Sequence, residues 1–357
     1  PEVTLFKYLG SKRVFVPVLG QIARASGART AVDLFTGTTR VAQEFKRSGI
    51  TTTATDLATY SYVYAHTFIE QDGSKIDEGE LGDALEYLHQ LPGDPGYFTE
   101  TFCIKSRFFQ PKNGERIDAI RNKIEEEFIG TDLYPILLTS LIRAADRVDS
   151  TTGVQMAYLK DWAPRAYNDL ELVAPKLIPG AGHARLGDAM ELVDELPSTD
   201  LMYLDPPYNQ HRYFTNYHIW ETLVRWDEPE VYGVACKRVD ARDPELKSVF
   251  NSKPAMKDAF FDLLSRAKTD LYVISYNDES WITKAEMTQA LYNAGADHVE
   301  ALEFEHNRYV GARIGIHNLQ GEKVGKVSHT KNTEWIFVAG DRDRVRAATE
   351  GVEHSAE

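Results

Sequence analysis

The feature that most constrains the fold is a strand, a turn, a helix and a second strand within residues 30–56. The segment 30-TAVDLFTGTTRVAQEFKRSG-49 begins as a buried strand, passes through a glycine-containing turn and continues as a helix that ends at Gly49. The strand 51-TTTATD-56 follows at once and is rich in β-branched threonine. This order is a βαβ unit, so we predict an α/β fold with a mostly parallel sheet.

The rest of the chain divides into a helical part and a second group of strands. Residues 61–182 have helical periodicity, as in 117-IDAIRNKIEEEFI-129, and we interpret them as a helical insertion. Strand patterns then return, and we expect the last two of them to pair across a long loop that contains glycine and lysine. These strands lie at 201-LMYL-204, 270-DLYVISYN-277, 297-DHVEALEFE-305 and 333-TEWIFVAG-340.

Composition limits the class of protein. The chain has 357 residues, of which 43% are hydrophobic, and this is enough to bury a full core. No run approaches the roughly 18 apolar residues of a membrane span, and the N-terminus lacks a signal-peptide pattern, so we expect a cytoplasmic protein with no membrane contact. The two cysteines, Cys103 and Cys236, are isolated in sequence, so neither a disulfide framework nor a metal site is predicted.

The charge distribution qualifies what the net charge alone suggests. A net charge of −14 disfavours a polyanionic partner, because like charges weaken encounter and binding. Residues 101–123, however, hold six basic against two acidic residues, and residues 306–331 hold five against one. Taken alone, each basic stretch is more often a solvated face than a binding surface.

Acidic residues follow several of the predicted strands, at the edge of the sheet where ligands of α/β proteins bind. Asp33 ends the first strand and is followed by Gly37, where the backbone can approach a ligand closely. Asp56 ends the second strand at a spacing typical of an acid that holds ribose hydroxyls, and Asp188 closes a short strand and could accept from an adenine amino group. Each one alone is more typical of a turn or a helix cap than of a ligand contact. Together they predict an adenosine-bearing cofactor across the strand ends.

The segment 201-LMYLDPPYNQHRYF-214 carries the most specific pattern. Two consecutive prolines remove two amide donors and fix the backbone, so that carbonyls at the strand end have no internal partner. The Asp205 carboxylate and a proline carbonyl then offer two acceptors to one amino group, and Tyr208 offers a flat ring for stacking. This combination predicts a clamp for a flat heterocycle with an exocyclic amino group.

These residues carry a resemblance to a known family. The sequence resembles the Dam-like, alpha-group DNA adenine methyltransferases, which transfer a methyl group from S-adenosyl-L-methionine to the exocyclic nitrogen of adenine. The resemblance implies a Rossmann-like methyltransferase fold, a mostly parallel sheet with a C-terminal antiparallel hairpin. It covers nearly the whole chain, and the order of its motifs is itself specific. The matching pieces are, in order, 7-KYLGSK-12, 33-DLFTG-37, Asp56, 205-DPPY-208, 274-ISYN-277 and 333-TEWIFV-338.

The resemblance also implies roles for individual residues. The expected catalytic residues are Asp205, Pro206, Pro207 and Tyr208. The expected cofactor contacts are Tyr8, Lys12, Asp33, Phe35, Gly37, Asp56, Asp188 and Asp205. Two departures from the family pattern bear on the cofactor site: Tyr8 stands where tryptophan is usual, and Thr38 and Thr39 stand where a second glycine or serine usually follows Gly37.

The implied substrate is double-stranded DNA, from which the target base must be flipped out of the helix. Residues 1–60 and 183–345 would form the S-adenosylmethionine-binding catalytic domain, residues 61–182 a DNA target-recognition region, and residues 346–357 an acidic, disordered tail. A cognate restriction endonuclease is a further partner compatible with such an enzyme. With DNA as substrate, phosphate contact becomes the favoured role of the basic stretches. The expected DNA-binding residues are Lys105, Arg107, Lys112, Arg116, His211, Arg212, Arg308, Arg313, Lys323 and Lys326.

Other functions remain open at this point. The same fold could methylate an amino group of RNA, or of cytosine in DNA, although the cytosine enzymes more often begin the Asp205 motif with serine. A catalytically silent nucleic-acid-binding relative is a further alternative, which the intact motifs oppose. A nicotinamide dehydrogenase is disfavoured, because 35-FTGTTR-40 lacks the GxGxxG spacing.

Overall fold

A mixed seven-stranded sheet organises the molecule. The computed structural model describes residues 15–207, 213–244, 247–307, 316–317, 323–325 and 331–352. Its strands are β1 (Thr30–Asp33), β2 (Thr51–Asp56), β3 (His183–Leu186), β4 (Thr199–Leu204), β5 (Val231–Tyr232), β6 (Lys237–Arg238), β7 (Thr269–Asn277), β8 (His298–Asn307), β9 (Ile316–His317), β10 (Lys323–Gly325) and β11 (Lys331–Gly340).

The sheet has the order β3-β2-β1-β4-β7-β11-β8. The first five strands in this order run parallel, with Asp56 opposite Leu186 and Asp33 opposite Tyr203. β11 runs antiparallel to both of its neighbours, β7 and β8. The prediction of a mostly parallel sheet with a C-terminal antiparallel hairpin is therefore confirmed. Two short antiparallel pairs, β5 with β6 and β9 with β10, lie apart from the sheet.

Helices surround the sheet and fill the segment between β2 and β3. Residues 61–182 contain helices and loops and no strand, as the sequence pattern predicts. None of the described helices is both long enough and apolar enough to cross a membrane. The α-helices are α1 (Phe15–Ala25), α2 (Arg40–Arg47), α3 (Thr59–Ala65), α4 (Glu78–His89), α5 (Tyr97–Thr99), α6 (Pro111–Phe128), α7 (Leu133–Asp146), α8 (Ala189–Glu195), α9 (Tyr213–Asn216), α10 (His218–Arg225), α11 (Lys253–Arg266), α12 (Lys284–Asn293) and α13 (Arg342–Thr349).

Both faces of the sheet are buried, because side chains of each strand alternate between two cores. In β4, Met202 and Leu204 point to the core shared with α8, α11 and α12. Leu201 and Tyr203 point to the opposite core, shared with α1, α2 and α13. A third core joins helices of the insertion to α10 and reaches the sheet at β2 and β3. The central strands are thus fixed from both sides, and their carboxyl ends are rigidly placed.

The insertion is fastened to α10, the helix that follows the Asp205 motif. The guanidinium of the buried Arg121 on α6 donates to the last carbonyls of α10, at 2.8 Å from Leu223 and 3.1 Å from Val224. It also lies over the ring of Trp226, 5.4 Å from its centroid. Arg121 belongs to the basic stretch 101–123, and here its charge caps a helix C-terminus.

The predicted disordered tail is wrong for residues 346–352. α13 continues to Thr349, and its apolar side chains pack into the core on the α1 side of the sheet. Val345 and Ala348 are fully buried, and Val352 is nearly so. The acidic composition of the tail concealed this apolar spacing. Residues 353–357 lie outside the described residues.

A buried carboxyl joins α10 to α3. Glu221 is 1% exposed, and its Oε1 accepts from the backbone N–H of Tyr60 at 2.8 Å. Its Oε2 has no hydrogen-bond partner among the described residues. Burial raises the pKa of Glu221 to about 7, against the opposing effect of the Tyr60 hydrogen bond. The folded state therefore holds this proton at pH values where the unfolded chain releases it.

We predict that Glu221 makes the free energy of unfolding fall with rising pH. Because its folded pKa is raised, the stabilisation is complete below the unfolded value near 4.5 and is lost as pH rises to about 7. Glu221→Gln keeps the acceptor for Tyr60 and has no proton to lose. As the pH rises from 5 to 8, the free energy of unfolding of this variant should therefore increase by up to about 3 kcal/mol relative to that of the parent.

Urea unfolding across this range measures the difference. Glu191→Gln, on the surface helix α8, controls for the loss of one acid, and identical slopes for parent and Glu221→Gln would contradict the prediction.

Candidate functional site

Three of the predicted acidic residues line one cleft at the carboxyl ends of the parallel strands. Asp56 ends β2, Asp188 lies two residues after β3, and Asp205 follows β4 directly. The cleft encloses about 900 Å³ of unfilled space, part of it open to solvent. Its wall also includes residues Leu34, Phe35, Gly37, Leu57, Ala58, Tyr60, Ser61, Gly187, Ala189, Pro207, Thr215, Ala241, Lys247, Ser248, Phe250 and Asn251.

The turn after β1 forms part of this wall and is held against β2. Gly37 has a φ of 53°, in the region that glycine adopts without steric cost, and its N–H donates to Asp56 Oδ2 at 2.9 Å. The N–H of Thr36 donates to the carbonyl of Thr55, also at 2.9 Å. Asp33 itself is buried and is not among the cleft-lining residues; its Oδ2 accepts from the Thr36 hydroxyl at 2.9 Å. The structure thus places Asp33 as a support of the turn.

Thr39 shows how the departure from the family pattern is accommodated. This buried residue has a φ of 67°, a left-handed conformation that costs a β-branched residue about 1–2 kcal/mol. Its hydroxyl accepts from Gln43 Nε2 at 3.0 Å within α2. The backbone therefore adopts a glycine-like turn in spite of the threonine, and the hydrogen bond to Gln43 offsets part of the strain.

Asp56 connects the two walls of the cleft. Its second oxygen, Oδ1, accepts from the N–H of Ala58 at 3.0 Å, so the carboxylate caps the turn that leads into α3 as well as holding Gly37. Burial raises the pKa of Asp56, and the backbone N–H donors act in the opposite direction. Asp56 could cap this turn and also bind ribose hydroxyls, because each of its oxygens has a second lone pair.

Asp188 also combines a structural contact with a place in the cleft. Its Oδ1 accepts from the N–H of Met190 at 2.8 Å and caps α8. The preceding Gly187 donates its N–H to the carbonyl of Asp56 at 3.0 Å, which holds the ends of β2 and β3 together. The contact with a cofactor adenine stays a prediction for Asp188.

The Asp205 motif lies at the mouth of the cleft. Asp205 and Pro207 line it and are partly exposed, whereas Pro206 is buried. No backbone N–H of the described residues donates to the carbonyl of Pro206, but residues 208–212 lie outside them, so the unclaimed carbonyl stays a prediction. Behind the motif, the hydroxyls of Tyr203 and Ser275 lie 2.7 Å apart in the core, which fixes the end of β4 against β7. In the part of the chain that the structure describes, no three acidic, cysteine or histidine side chains converge to hold a metal ion.

Several residues of the cleft were not predicted from the sequence. Tyr60 and Ser61 come from α3, and Thr215 from α9, which follows the Asp205 motif. Lys247 and Phe250 come from a loop before α11. These residues lie outside any recognisable motif, and their positions depend on how distant segments pack. The segment 247-KSVFNSK-253, with two lysines and an asparagine beside a phenylalanine, was the one available signal.

The predicted DNA-binding residues of the insertion differ in their surroundings. Lys105 is exposed. Arg107 lies 4.8 Å from the ring centroid of Trp162 and donates to the carbonyl of Lys160 at 3.0 Å. Lys112 donates to the carbonyl of Tyr167 at 2.6 Å and forms an ion pair with Asp169 at 2.8 Å.

Arg116 makes contacts within the insertion. Its guanidinium donates to the carbonyl of His89 at 2.8 Å and to that of Leu170, so it joins α4, α6 and the loop before β3. Lys112 and Arg116 therefore connect parts of the insertion that are far apart in sequence, and their contact with DNA stays a prediction.

The remaining predicted residues cannot be placed in the site. Lys323 begins β10, and only its backbone is described. The others lie outside the described residues: Tyr8, Lys12, Tyr208, His211, Arg212, Arg308, Arg313 and Lys326.

Comparison with known proteins gives the family context of this cleft. Residues 8–290 match the family model described as D12 class N6 adenine-specific DNA methyltransferase. The chain is 30% identical over 309 residues to Modification methylase StsI of Streptococcus sanguinis, an alignment that covers 82% of this chain and 47% of StsI. It is 32% identical over 288 residues to Type II methyltransferase M.NlaIII of Neisseria lactamica, covering 78% of this chain and 83% of M.NlaIII.

A third relative, like StsI, is matched over about half of its own length. The chain is 28% identical over 312 residues to Type II methyltransferase M.FokI of Planomicrobium okeanokoites, covering 81% of this chain and 47% of M.FokI. The chain thus spans about half the length of StsI and M.FokI and most of the length of M.NlaIII. The family match extends over most of the chain, and it includes the five parallel strands of the sheet, the insertion and the Asp205 motif. The chain therefore belongs to the D12 class of N6 adenine-specific DNA methyltransferases.

Proposed function

We propose that this protein transfers a methyl group from S-adenosyl-L-methionine to the exocyclic amino nitrogen of adenine at a specific site in double-stranded DNA. The observation that carries the proposal is the cleft in which Asp56, Asp188 and Asp205 meet at the ends of neighbouring strands. Family membership supplies the class of reaction, and the cleft supplies a place for cofactor and base. Assignment to the Dam-like subgroup stays a prediction from the sequence motifs.

The inner part of the cleft suits an adenosine-bearing cofactor. The Asp56 carboxylate, already fixed by Gly37 and Ala58, retains lone pairs for ribose hydroxyls. Leu57 and Phe35 provide apolar surface for a base, and Asp188 provides an acceptor for its amino group. S-adenosyl-L-methionine would supply an electrophilic methyl group bonded to a sulfonium.

The mouth of the cleft suits the target adenine. Asp205 and the Pro206 carbonyl would accept hydrogen bonds from the two N–H groups of the amino nitrogen and so hold its lone pair toward the methyl group. The methyl group would pass from the sulfonium to this nitrogen as the methyl–sulfur bond breaks, leaving a neutral thioether, and the nitrogen would release one proton to water. Positioning and a fixed carboxylate provide the rate enhancement, without a covalent enzyme intermediate.

Access to the amino nitrogen requires that the base leave the duplex, at a cost of a few kcal/mol. Tyr208 would stack on the flipped base, and His211 and Arg212 would support the DNA around the vacated position. The insertion, residues 61–182, would provide target recognition. Since the relatives named above are modification or type II methyltransferases, a cognate restriction endonuclease is part of the proposal.

The substrate class can be tested with one assay. Purified protein and tritiated S-adenosyl-L-methionine are incubated with unmethylated genomic DNA, and with RNA and protein in parallel. We expect label in DNA alone, on N6 of adenine after hydrolysis to nucleosides. Label on RNA in place of DNA, or on cytosine, would overturn the proposed substrate.

Replacing Asp205 tests the proposed clamp. We predict that Asp205→Ala lowers the rate of methyl transfer to DNA by at least about 100-fold, because the amino group loses a fixed charged acceptor. DNA affinity and the thermal unfolding midpoint should stay near the parent values.

Asp200→Asn is a matched control at the other end of β4, where the carboxylate accepts from the N–H groups of Arg29 and Thr30 at 2.8 and 3.0 Å. The control should lose stability and keep its turnover rate. Turnover of Asp205→Ala near the parent rate would exclude Asp205 as the clamp.

Lys105 provides a test of the insertion as a DNA contact surface. It is exposed and its side chain forms no hydrogen bond or ion pair with the residues that the structure describes, so Lys105→Ala should weaken DNA binding and reduce the salt slope of the affinity by about 1. Lys123→Ala is the control for net charge, because Lys123 forms ion pairs with Glu126 at 2.9 Å and Glu127 at 3.6 Å. Fluorescence anisotropy with a labelled duplex at several salt concentrations measures both. An unchanged slope for Lys105→Ala would assign this stretch to the solvated surface.

A further inference from the structure

One wall of the cleft is formed by residues 247–251, which no motif of the sequence predicted. Lys247, Ser248, Phe250 and Asn251 all line the cleft. They lie between α10 and α11 in sequence, some 40 residues after Asp205. This segment, hereafter the 247–251 segment, carries the one positively charged side chain among the described residues that line the cleft.

Core packing fixes the position of the 247–251 segment. The ring of Phe250 is 1% exposed and meets Phe35 edge to face, with centroids 5.2 Å apart. It meets Phe260 of α11 in the same way at 6.3 Å. The backbone closes into a single turn, in which the N–H of Asn251 donates to the carbonyl of Ser248 at 3.0 Å. The side chains at either end of the turn are therefore held at the cleft.

The 247–251 segment and the residues at the start of α3 form two different walls of the cleft. Phe250 shares its core with Ala189 of α8 and so lies on the α8 side of the sheet. The cleft residues Ala58 and Tyr60 belong to the other core, shared with the insertion and α10. Residues of both cores line the same cleft, so the 247–251 segment is in reach of a ligand that occupies it.

The charges of the cleft make Lys247 distinctive. Three carboxylates line it, and two of them, Asp56 and Asp188, already accept from backbone N–H groups. Lys247 is partly exposed, and its ammonium forms no ion pair or hydrogen bond with another residue in the described part of the chain. An anionic group of a ligand would be attracted by this ammonium and repelled by the carboxylates.

We propose that the 247–251 segment is part of the cofactor site and that Lys247 binds the carboxylate of the methionine moiety of S-adenosyl-L-methionine. This inference rests on the proposed function. That carboxylate is the single anionic group of the cofactor, and Lys247 is its natural partner in a cleft otherwise lined by acids. Phe250 contributes the apolar surface beside it, and Ser248 and Asn251 contribute polar groups at the same wall.

A pair of ligands tests the contact. S-adenosyl-L-homocysteine retains the amino-acid carboxylate, and 5′-methylthioadenosine retains the adenosine and lacks the amino acid. Isothermal titration of the whole protein, without DNA, gives both affinities. For Lys247→Met we expect at least about 10-fold weaker binding of S-adenosyl-L-homocysteine and unchanged binding of 5′-methylthioadenosine. Lys247→Arg should recover most of the loss, because the guanidinium also binds carboxylates.

Lys253→Met is the matched control. Lys253 is exposed at the start of α11, six residues beyond Lys247, and both ligands should bind this variant as they bind the parent. Equal losses for the two ligands in Lys247→Met would assign Lys247 to the adenosine or to the fold and would overturn the carboxylate contact. Unchanged binding of S-adenosyl-L-homocysteine to Lys247→Met would also overturn it. If the parent protein bound neither ligand, the proposed function itself would fail.

Discussion

The cleft depends on one carboxylate, that of Asp56. Its two oxygens hold the N–H of Gly37 at 2.9 Å and that of Ala58 at 3.0 Å, so a single side chain fixes the turn after β1 and the turn before α3. Both turns line the cleft. The carboxylate is buried, which raises its pKa, and the two donors offset part of that burial cost. Without Asp56, two backbone donors at the cleft would lose their acceptor, at about 1–3 kcal/mol for each that stays buried.

The outer half of the cleft depends on a second set of contacts, between the insertion and the helices after the Asp205 motif. Gln155 of the insertion donates its N–H to the carbonyl of Asn216 at 2.7 Å, and its Oε1 accepts from the N–H of Ile219 at 2.8 Å. The carbonyl of Gln155 lies 2.9 Å from Nε2 of His218. Burial lowers the pKa of His218 to about 3, so the ring is neutral and Nε2 donates to this carbonyl. Together with Arg121 and Glu221, these contacts make the insertion and α10 one packed unit.

The sequence was sufficient to predict the sheet and the acids at its edge. Alternation, β-branched residues and the position of Gly37 predicted β1, α2 and β2, and parallel strands necessarily bring Asp56, Asp188 and Asp205 to one edge. The sequence was insufficient wherever a side chain finds its partner far along the chain. The contacts of Arg116 with the carbonyls of His89 and Leu170 were not predicted, because these partners carry no signal in the sequence. The same reason explains why Lys247 was missed, whereas the acidic composition of the last residues concealed the end of α13.

The most direct test of the central claim is to sequence DNA from a methylation-free host that expresses the protein, with a method that reports modified bases. The proposed activity predicts N6-methyladenine at one defined sequence motif, in nearly all its copies, and none in the same host carrying Asp205→Ala. Unmodified adenine throughout, or methylation confined to cytosine, would contradict it.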